Sequence, residues 1–152
     1  MTNQEKINEA LSRGISLPSE ITDTHIVCVY GFFAIKNNEE KCFYIGKATD
    51  LNDRMLSSAN GHIHSFLRGD YKKLVPGLIK EFTDKQYRID VRILEKVNYE
   101  DSCFSRAAHR LALAEYTNIV KYQNDNQCLR QYPEGIKEKG NEETYWKSYF
   151  KK

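Results

Sequence analysis

Two apolar runs that lie close together in the sequence constrain the fold of this chain more than any other feature. The first run covers residues 26–35 and the second covers residues 42–45, with the polar stretch 36–41 between them. Two short apolar runs joined by a polar turn are typical of a β-hairpin. Because the first run does not alternate between polar and apolar residues, we expect its strand to be buried on both faces, at the centre of a sheet.

Each strand of this hairpin carries one tyrosine, and the register of the hairpin decides whether the two rings meet. Side chains alternate between the two faces of a strand. A register that pairs Tyr30 with Gly46 or Ala48 places Tyr30 and Tyr44 on one face, whereas a register that pairs Tyr30 with Lys47 separates them. The turn sequence does not choose between these registers. A shared role for the two tyrosines requires one of the first two.

Helical and strand patterns follow the hairpin. Asp50 is a suitable N-cap for a helix in which Leu51 and Met55 face the core, and Arg54 lies at the edge of that apolar stripe. The sequence further predicts helices at residues 3–12, 71–82 and about 102–123, and a third strand at residues 87–95. We therefore expect an α/β (α+β) fold with a small three-stranded antiparallel sheet flanked by helices.

The length of 152 residues is suited to one domain with a single core. We divide it into an N-terminal helical arm (residues 1–23), a central domain (24–132) and a C-terminal aromatic and basic extension (133–152) packed on the same domain. The arm could pack on the core, contact a second copy or contact DNA. The extension mixes lysines with aromatic residues, which fits either a nucleic-acid contact or a packed helix with a solvated lysine face.

Charge and composition limit the partners of the chain. Lys and Arg number 23 against 21 for Asp and Glu, so a net charge of +2 leaves any DNA-facing surface to local clustering. The sequence shows neither an apolar stretch of ~20 residues nor a signal peptide at residues 1–17, so we expect a soluble, cytoplasmic protein with no membrane partner. The four cysteines lack the spacing of a zinc site and are expected to be buried thiols.

Glu115 is the most informative residue outside the hairpin, because it interrupts the apolar stripe of the long helix. The stripe consists of Phe104, Ala108, Leu111, Ile119 and Tyr122. A carboxylate in such a stripe costs desolvation energy unless it is paired or binds a cation. Two interpretations remain open: an ion pair with Arg54 or Lys47, and a ligand of a hard divalent cation.

The hairpin and its surroundings resemble the GIY-YIG family of metal-dependent nucleases. The first motif reads Val29-Tyr30-Gly31, with Val29 where the family has isoleucine, and the second reads Tyr44-Ile45-Gly46. Arg54 lies ten residues after Tyr44, where the family has its catalytic arginine, and the resemblance extends over about residues 26–126. It implies a metal-dependent endonuclease that hydrolyses DNA phosphodiester bonds, of the restriction, phage or repair type. RNA is not excluded as a substrate, and a homodimer is the simplest arrangement for cutting two strands.

The resemblance also implies roles for single residues. Tyr30 and Tyr44 would activate and orient the attacking water, with the assignment between them open, and Lys47 would favour a phenolate. Arg54 would stabilise the pentavalent phosphoryl transition state. Glu115 would hold one Mg²⁺ (or Mn²⁺) per active site. We expect the two tyrosines, Arg54 and Glu115 to converge on one face of the sheet.

Further residues are supporting candidates. Gly31 and Gly46 could allow either a phosphate backbone or a packed neighbour to approach the hairpin closely. His62 and His64 could contact phosphate or act as a base, or they could be surface histidines. The family's bracing asparagine would be Asn126, with Asn124 as its competitor. The competing hypothesis for the whole chain is a catalytically inactive nucleic-acid-binding module of the same fold.

Overall fold

The computed structural model describes residues 1–23 and 25–151, and its centre is a four-stranded sheet. The strands are β1 (Ile15–Ser16), β2 (Cys28–Lys36), β3 (Glu39–Ala48) and β4 (Arg88–Lys96). The helices are α1 (Asn3–Ser12), α2 (His62–Arg68), α3 (Leu74–Asp84), α4 (Phe104–Gln123) and α5 (Asn141–Tyr149). A 3₁₀ turn covers Ser19–Thr22 and a π-helical turn covers Asp53–Ser57. Within residues 1–23 and 25–151, none of the helices has both the length and the apolar composition needed to cross a membrane.

The α+β class is confirmed, but the expected three-stranded antiparallel sheet is incomplete. The strand order is β1-β4-β2-β3, and β2 pairs antiparallel with both β3 and β4, so the apolar run at residues 26–35 does form a central strand. The additional strand β1 pairs parallel with β4. It has two residues, too few to produce a period-two pattern in the sequence.

The register of the hairpin brings the two tyrosines to one face. Tyr30 pairs with Gly46 and Phe32 pairs with Tyr44, which is one of the two registers that the shared role requires. A β-bulge follows, so that Phe33 pairs with Cys42. Asn37 and Asn38 form the turn with φ of 54° and 66°, the left-handed conformation typical of a tight hairpin turn.

The sheet is covered on both faces, because β2 is buried over most of its length. On one face, Tyr30 and Phe32 pack with residues of α1, α2 and α3, such as Ile63. On the other face, Val29 packs against α4 through Leu111. These two faces are called the tyrosine face and the α4 face below.

Two predicted helices differ in detail from the structure, and the C-terminal extension contains a further helix, α5. α3 begins at Leu74 rather than at residue 71, which puts Pro76 into the first turn, where a missing N–H costs little. The stripe of α4 is shifted: Phe104 is 75% exposed and Ala107 is buried. All residues of α5 are exposed except the half-buried Glu143, which accepts a hydrogen bond from Tyr132.

Candidate active site

The phenol of Tyr30 is the buried centre of the tyrosine face. The side chain is fully buried, its Oη lies 2.9 Å from Nε2 of His62, and Nε of Arg54 donates to it at 3.4 Å. The ring lies directly over the opposite residue, Gly46: a Cβ there would come within 2.5 Å of Cζ of Tyr30. Gly46 is therefore a glycine because the neighbouring strand's aromatic ring takes the space of a side chain.

Burial sets the protonation states in this cluster. It raises the pKa of the Tyr30 phenol well above its usual value, and Arg54 only partly opposes that shift. Burial, together with the charges of Arg54 and Lys73, lowers the pKa of His62 to about 3. Tyr30 is therefore a neutral phenol and His62 a neutral imidazole at pH 7. Tyr30 is suited to holding Arg54 in place and His62 to holding Tyr30, and both are poorly suited to taking a proton from water.

Tyr44 stands beside Tyr30 but faces an open cavity. The two ring centroids are 6.5 Å apart, and the Tyr44 side chain is half-buried. Burial raises the pKa of Tyr44, the positive charge of Arg54 lowers it, and Glu115 and Glu134 raise it. The cavity has a volume of about 240 Å³. Its lining consists of Tyr44, Arg54, Asn60, His62, Lys73, Leu74, Val75 and Pro76, and we call it the Lys73 cavity.

Arg54 separates the Lys73 cavity from a second one. The second cavity, of about 270 Å³, is called the Lys47 cavity. It is lined by Lys47, Ala48, Thr49, Asp50, Asp53, Arg54, Ser58 and Leu111. Arg54 lies in the π-helical turn, and such turns are rare and frequently occur at functional sites. One guanidinium can therefore face ligands on both sides.

The N-terminal helix holds the turn that carries Arg54. Nζ of Lys6, a buried lysine, donates to the carbonyl oxygen of Leu56 at 2.7 Å. Nδ2 of Asn3 donates to Oγ of Ser57 at 2.8 Å. Neither residue was predicted from the sequence. The available signal was weak: Lys6 lies four residues before the buried Ala10, on the helix face that packs.

Glu115 reaches the site from the opposite side of the sheet. It lies on α4, one turn after Leu111, and its carboxylate is 3.9 Å from Nζ of Lys47. The expectation that it shares one sheet face with Tyr30 and Tyr44 is therefore wrong. Since β3 is the edge strand, the groups of both faces meet around its end, and Arg54 and Glu115 influence each other electrostatically.

The charge on Glu115 is poorly compensated. Its side chain is only 14% exposed, and burial raises its pKa; Lys47 opposes the shift, Glu134 adds to it, and Arg54 opposes it weakly. A half-buried carboxylate with one distant ion-pair partner suits a hard cation, and Mg²⁺ commonly uses one protein carboxylate together with water and phosphate oxygens. Residues 1–23 and 25–151 contain no group of three or more His, Cys, Asp or Glu side chains that could hold a metal ion.

Three of the candidate residues lie away from this arrangement. Gly31 faces the α4 side, where a Cβ would come 3.1 Å from Cδ1 of Leu94, so its environment is protein packing. His64 lines a different cavity, next to Lys6 of α1. Asn126 is exposed and has φ of 58° in the turn that ends α4, a conformation that asparagine tolerates.

Two glutamines that the sequence analysis missed brace the outer edge of β3. Oε1 of Gln127 accepts from the backbone N–H of Cys42 at 2.6 Å. The amide of Gln131 accepts from the N–H of Ile45 at 2.9 Å and donates to the carbonyl oxygen of Ile45. The backbone N–H of Cys128 also donates to the carbonyl of Cys42. This bracing pins the residues on either side of Tyr44, and no periodic pattern marks it in the sequence.

Comparisons of the chain with protein-family models, with curated proteins and with solved structures each found no match.

Proposed function

We propose that this chain is a metal-dependent endonuclease that hydrolyses DNA phosphodiester bonds, of the kind found in GIY-YIG nucleases. One observation carries the proposal: Arg54 contacts the phenol of Tyr30 and lines a cavity with Tyr44, while Lys47 and Glu115 pair around the same strand end. Cations, phenols and one carboxylate around an open cleft are the groups that phosphoryl transfer uses.

The residues divide into groups that position and groups that react. Tyr30 holds Arg54 by accepting its hydrogen bond, and His62 in turn bonds to the phenol of Tyr30. Arg54 stabilises charge on the equatorial phosphate oxygens through its planar fork. Tyr44 orients the attacking water, since its ring is the one that lines a cavity. Its deprotonation needs nearby positive charge, because burial raises its pKa.

Glu115 is the residue that would hold the metal ion, Mg²⁺ or Mn²⁺, one per site. When bound, such an ion supplies Lewis-acid stabilisation of the leaving 3′-oxygen. Lys47 keeps Glu115 ionised and in place before the ion arrives. Homodimerisation is the simplest way for one such site per chain to cut both strands of a duplex.

The second candidate is a nucleic-acid-binding module without catalysis. The observation that favours it is the complete burial of Tyr30, together with a raised pKa for both hairpin tyrosines. A site of this kind lacks an evident base near pH 7. It would still present Arg54 and Lys73 to phosphate.

Cleavage of supercoiled plasmid in Mg²⁺ distinguishes the two candidates. We expect wild type to nick or linearise the plasmid, and Arg54→Ala and Glu115→Gln each to lose about 10²-fold or more. The matched controls are Arg88→Ala and Glu100→Gln, which remove the same charges at exposed positions and should retain activity. Cutting that survives both site variants would reject this assignment. Wild type that binds but does not cut plasmid, branched DNA or RNA would favour the non-catalytic module.

A further inference from the structure

We propose that the Lys73 cavity binds a second phosphate of the nucleic-acid backbone, next to the one that is cleaved. This inference rests on the proposed function and extends it to how the strand is held. The cavity is continuous with the site, because Tyr44 and Arg54 both line it. Lys73 lines the cavity as well and has no part in the chemistry described above.

The charges that line the two cavities differ. The Lys73 cavity contains two cations, Arg54 and Lys73, and its other lining residues are neutral at pH 7. The Lys47 cavity also contains two cations, but Asp50 and Asp53 line it as well. A phosphate is therefore attracted more strongly to the Lys73 cavity. Arg54 and Lys73 both act on the same ring, His62, which is consistent with their facing one space.

Lys73 is held in place beside the cavity. Its Nζ donates to Oδ1 of Asn60 at 2.9 Å and to Oγ of Ser65 at 3.2 Å, and lies 3.4 Å from a carboxylate oxygen of Asp70. The first two partners are neutral. The Asp70 contact is a partly exposed ion pair of the kind that contributes little, so a phosphate oxygen can replace it. The ammonium group is thus already positioned before the ligand binds.

The cavity walls also fit a backbone phosphate rather than a base. The cavity has a volume of about 240 Å³, and its lining includes Leu74 and Val75 in the first turn of α3. In the first turn of a helix the backbone N–H groups lack intrahelical partners. These groups add weakly to the attraction for an anion. The lining carries no row of exposed aromatic faces for stacking, since Tyr44 is half-buried against Tyr30.

The test is the salt dependence of DNA binding, which counts phosphate contacts without requiring cleavage. The probe is a fluorescein-labelled 20-base-pair duplex in EDTA, and in parallel with Ca²⁺. Each phosphate contact contributes about 0.9 to the slope of log K against log salt. We expect Lys73→Gln to reduce the slope by about 1 and Lys73→Arg to preserve it. Lys85→Gln, the matched control at the other end of α3, about 18 Å away along the helix, should leave it unchanged.

A second pair of variants changes the result in the opposite direction, so the proposal does not depend on Lys73→Gln folding. Asp70→Asn should tighten DNA binding by releasing Lys73 and, with it, Arg68, the other partner of Asp70. Asp84→Asn, which frees Lys80 instead, should do so less. Equal slopes for Lys73→Gln and Lys85→Gln, with wild type binding DNA, would overturn the subsite and leave the nuclease proposal standing. A Lys73-dependent slope without any cutting in Mg²⁺ would support the subsite and reject the nuclease. Absence of binding to DNA and RNA would reject both.

Discussion

The two faces of the hairpin are built in different ways at the strand end where they carry the proposed site. On the tyrosine face, the phenol of Tyr30 is fully buried and bonds to the largely buried His62. On the α4 face, Lys47 and Glu115 are partly exposed and 3.9 Å apart. Buried polar groups that satisfy one another fix geometry, whereas a loosely paired carboxylate retains capacity for a ligand. The difference distinguishes the groups that fix geometry, Tyr30 and His62, from the proposed metal ligand, Glu115.

The largest expected effect compares the two faces through one glycine on each. Gly46→Ala places a Cβ into the Tyr30 ring, which has no room to move, so we expect a loss of roughly 2–4 kcal/mol in the free energy of unfolding. Gly31→Ala is the matched control on the α4 face. Its Cβ would meet the tips of Leu94 and Phe33 at 3.1 Å, and these can shift, so the loss should be about 1 kcal/mol. Urea denaturation measures both, and equal losses would contradict the comparison.

The next effect is a pH dependence of the free energy of unfolding that arises from His62, on the tyrosine face. The pKa of His62 falls from 6.5 to about 3 on folding, so the unfolded chain binds a proton that the folded chain excludes. Its contribution to stability is therefore complete above pH 6.5 and declines as the pH falls toward 3. By pH 5 the loss is about 2 kcal/mol.

Comparison with His62→Gln isolates the contribution of His62. The stability advantage of wild type over this variant should shrink as the pH is lowered from 7 to 5. His64→Gln, on the same helix but lining a different cavity, is the comparison: the pKa of His64 is also lowered, by slight burial and nearby cations, but its ring is far less buried, so the wild-type advantage should shrink less. A titration of the His62 ring by NMR measures its pKa directly. A titration midpoint of the His62 ring near 6.5 in the folded protein would show that the ring is solvated and that burial does not lower its pKa.

The smallest effect concerns Glu115, on the α4 face, and its dependence on pH has the opposite sign. The pKa of Glu115 is raised above its ordinary 4.5, so the folded protein keeps a proton that the unfolded chain has released. Wild type is therefore expected to lose stability relative to Glu115→Gln as the pH rises from below 4.5 through the raised pKa. We expect a difference below about 1 kcal/mol.

Metal binding should reverse the difference in stability between wild type and Glu115→Gln. Mg²⁺ is expected to raise the Tm of wild type at pH 7 and to leave that of Glu115→Gln unchanged, because binding to the folded state alone stabilises it. Glu100→Gln, at an exposed loop position, is the control and should respond like wild type. An equal Mg²⁺ response in wild type and Glu115→Gln would exclude Glu115 as the ligand.

The elements that the sequence predicted correctly are those with a strong periodic signal. The hairpin, β4, α1 and α4 lie where the patterns place them, and the register agrees with the one that joins Tyr30 and Tyr44. The two-residue β1 was missed because its pairing partner lies far along the chain and only tertiary structure brings them together. Phe104 was misplaced because the first turn of α4 extends past the sheet, which periodicity alone does not reveal.

The candidate site was predictable as a list of residues and unpredictable as a geometry. Tyr44, Arg54 and His62 do line one cavity. The approach of Glu115 from the other face depends on β3 being an edge strand, which hydrophobic pattern does not specify. Lys6, Gln127 and Gln131 act through backbone groups of distant segments, and such contacts leave no local sequence signature.

The two glutamines that bond to the edge of β3 have a consequence for how copies of this protein behave in a crowded solution. An exposed edge strand offers free N–H and C=O groups to any extended polypeptide and is a common starting point for aggregation. Here Gln127 already accepts from the N–H of Cys42, Gln131 bonds to both backbone groups of Ile45, and the N–H of Cys128 donates to the carbonyl of Cys42. An incoming strand would first have to displace the segment after α4. The chain thus blocks templated growth at its most vulnerable edge while leaving the neighbouring cleft open.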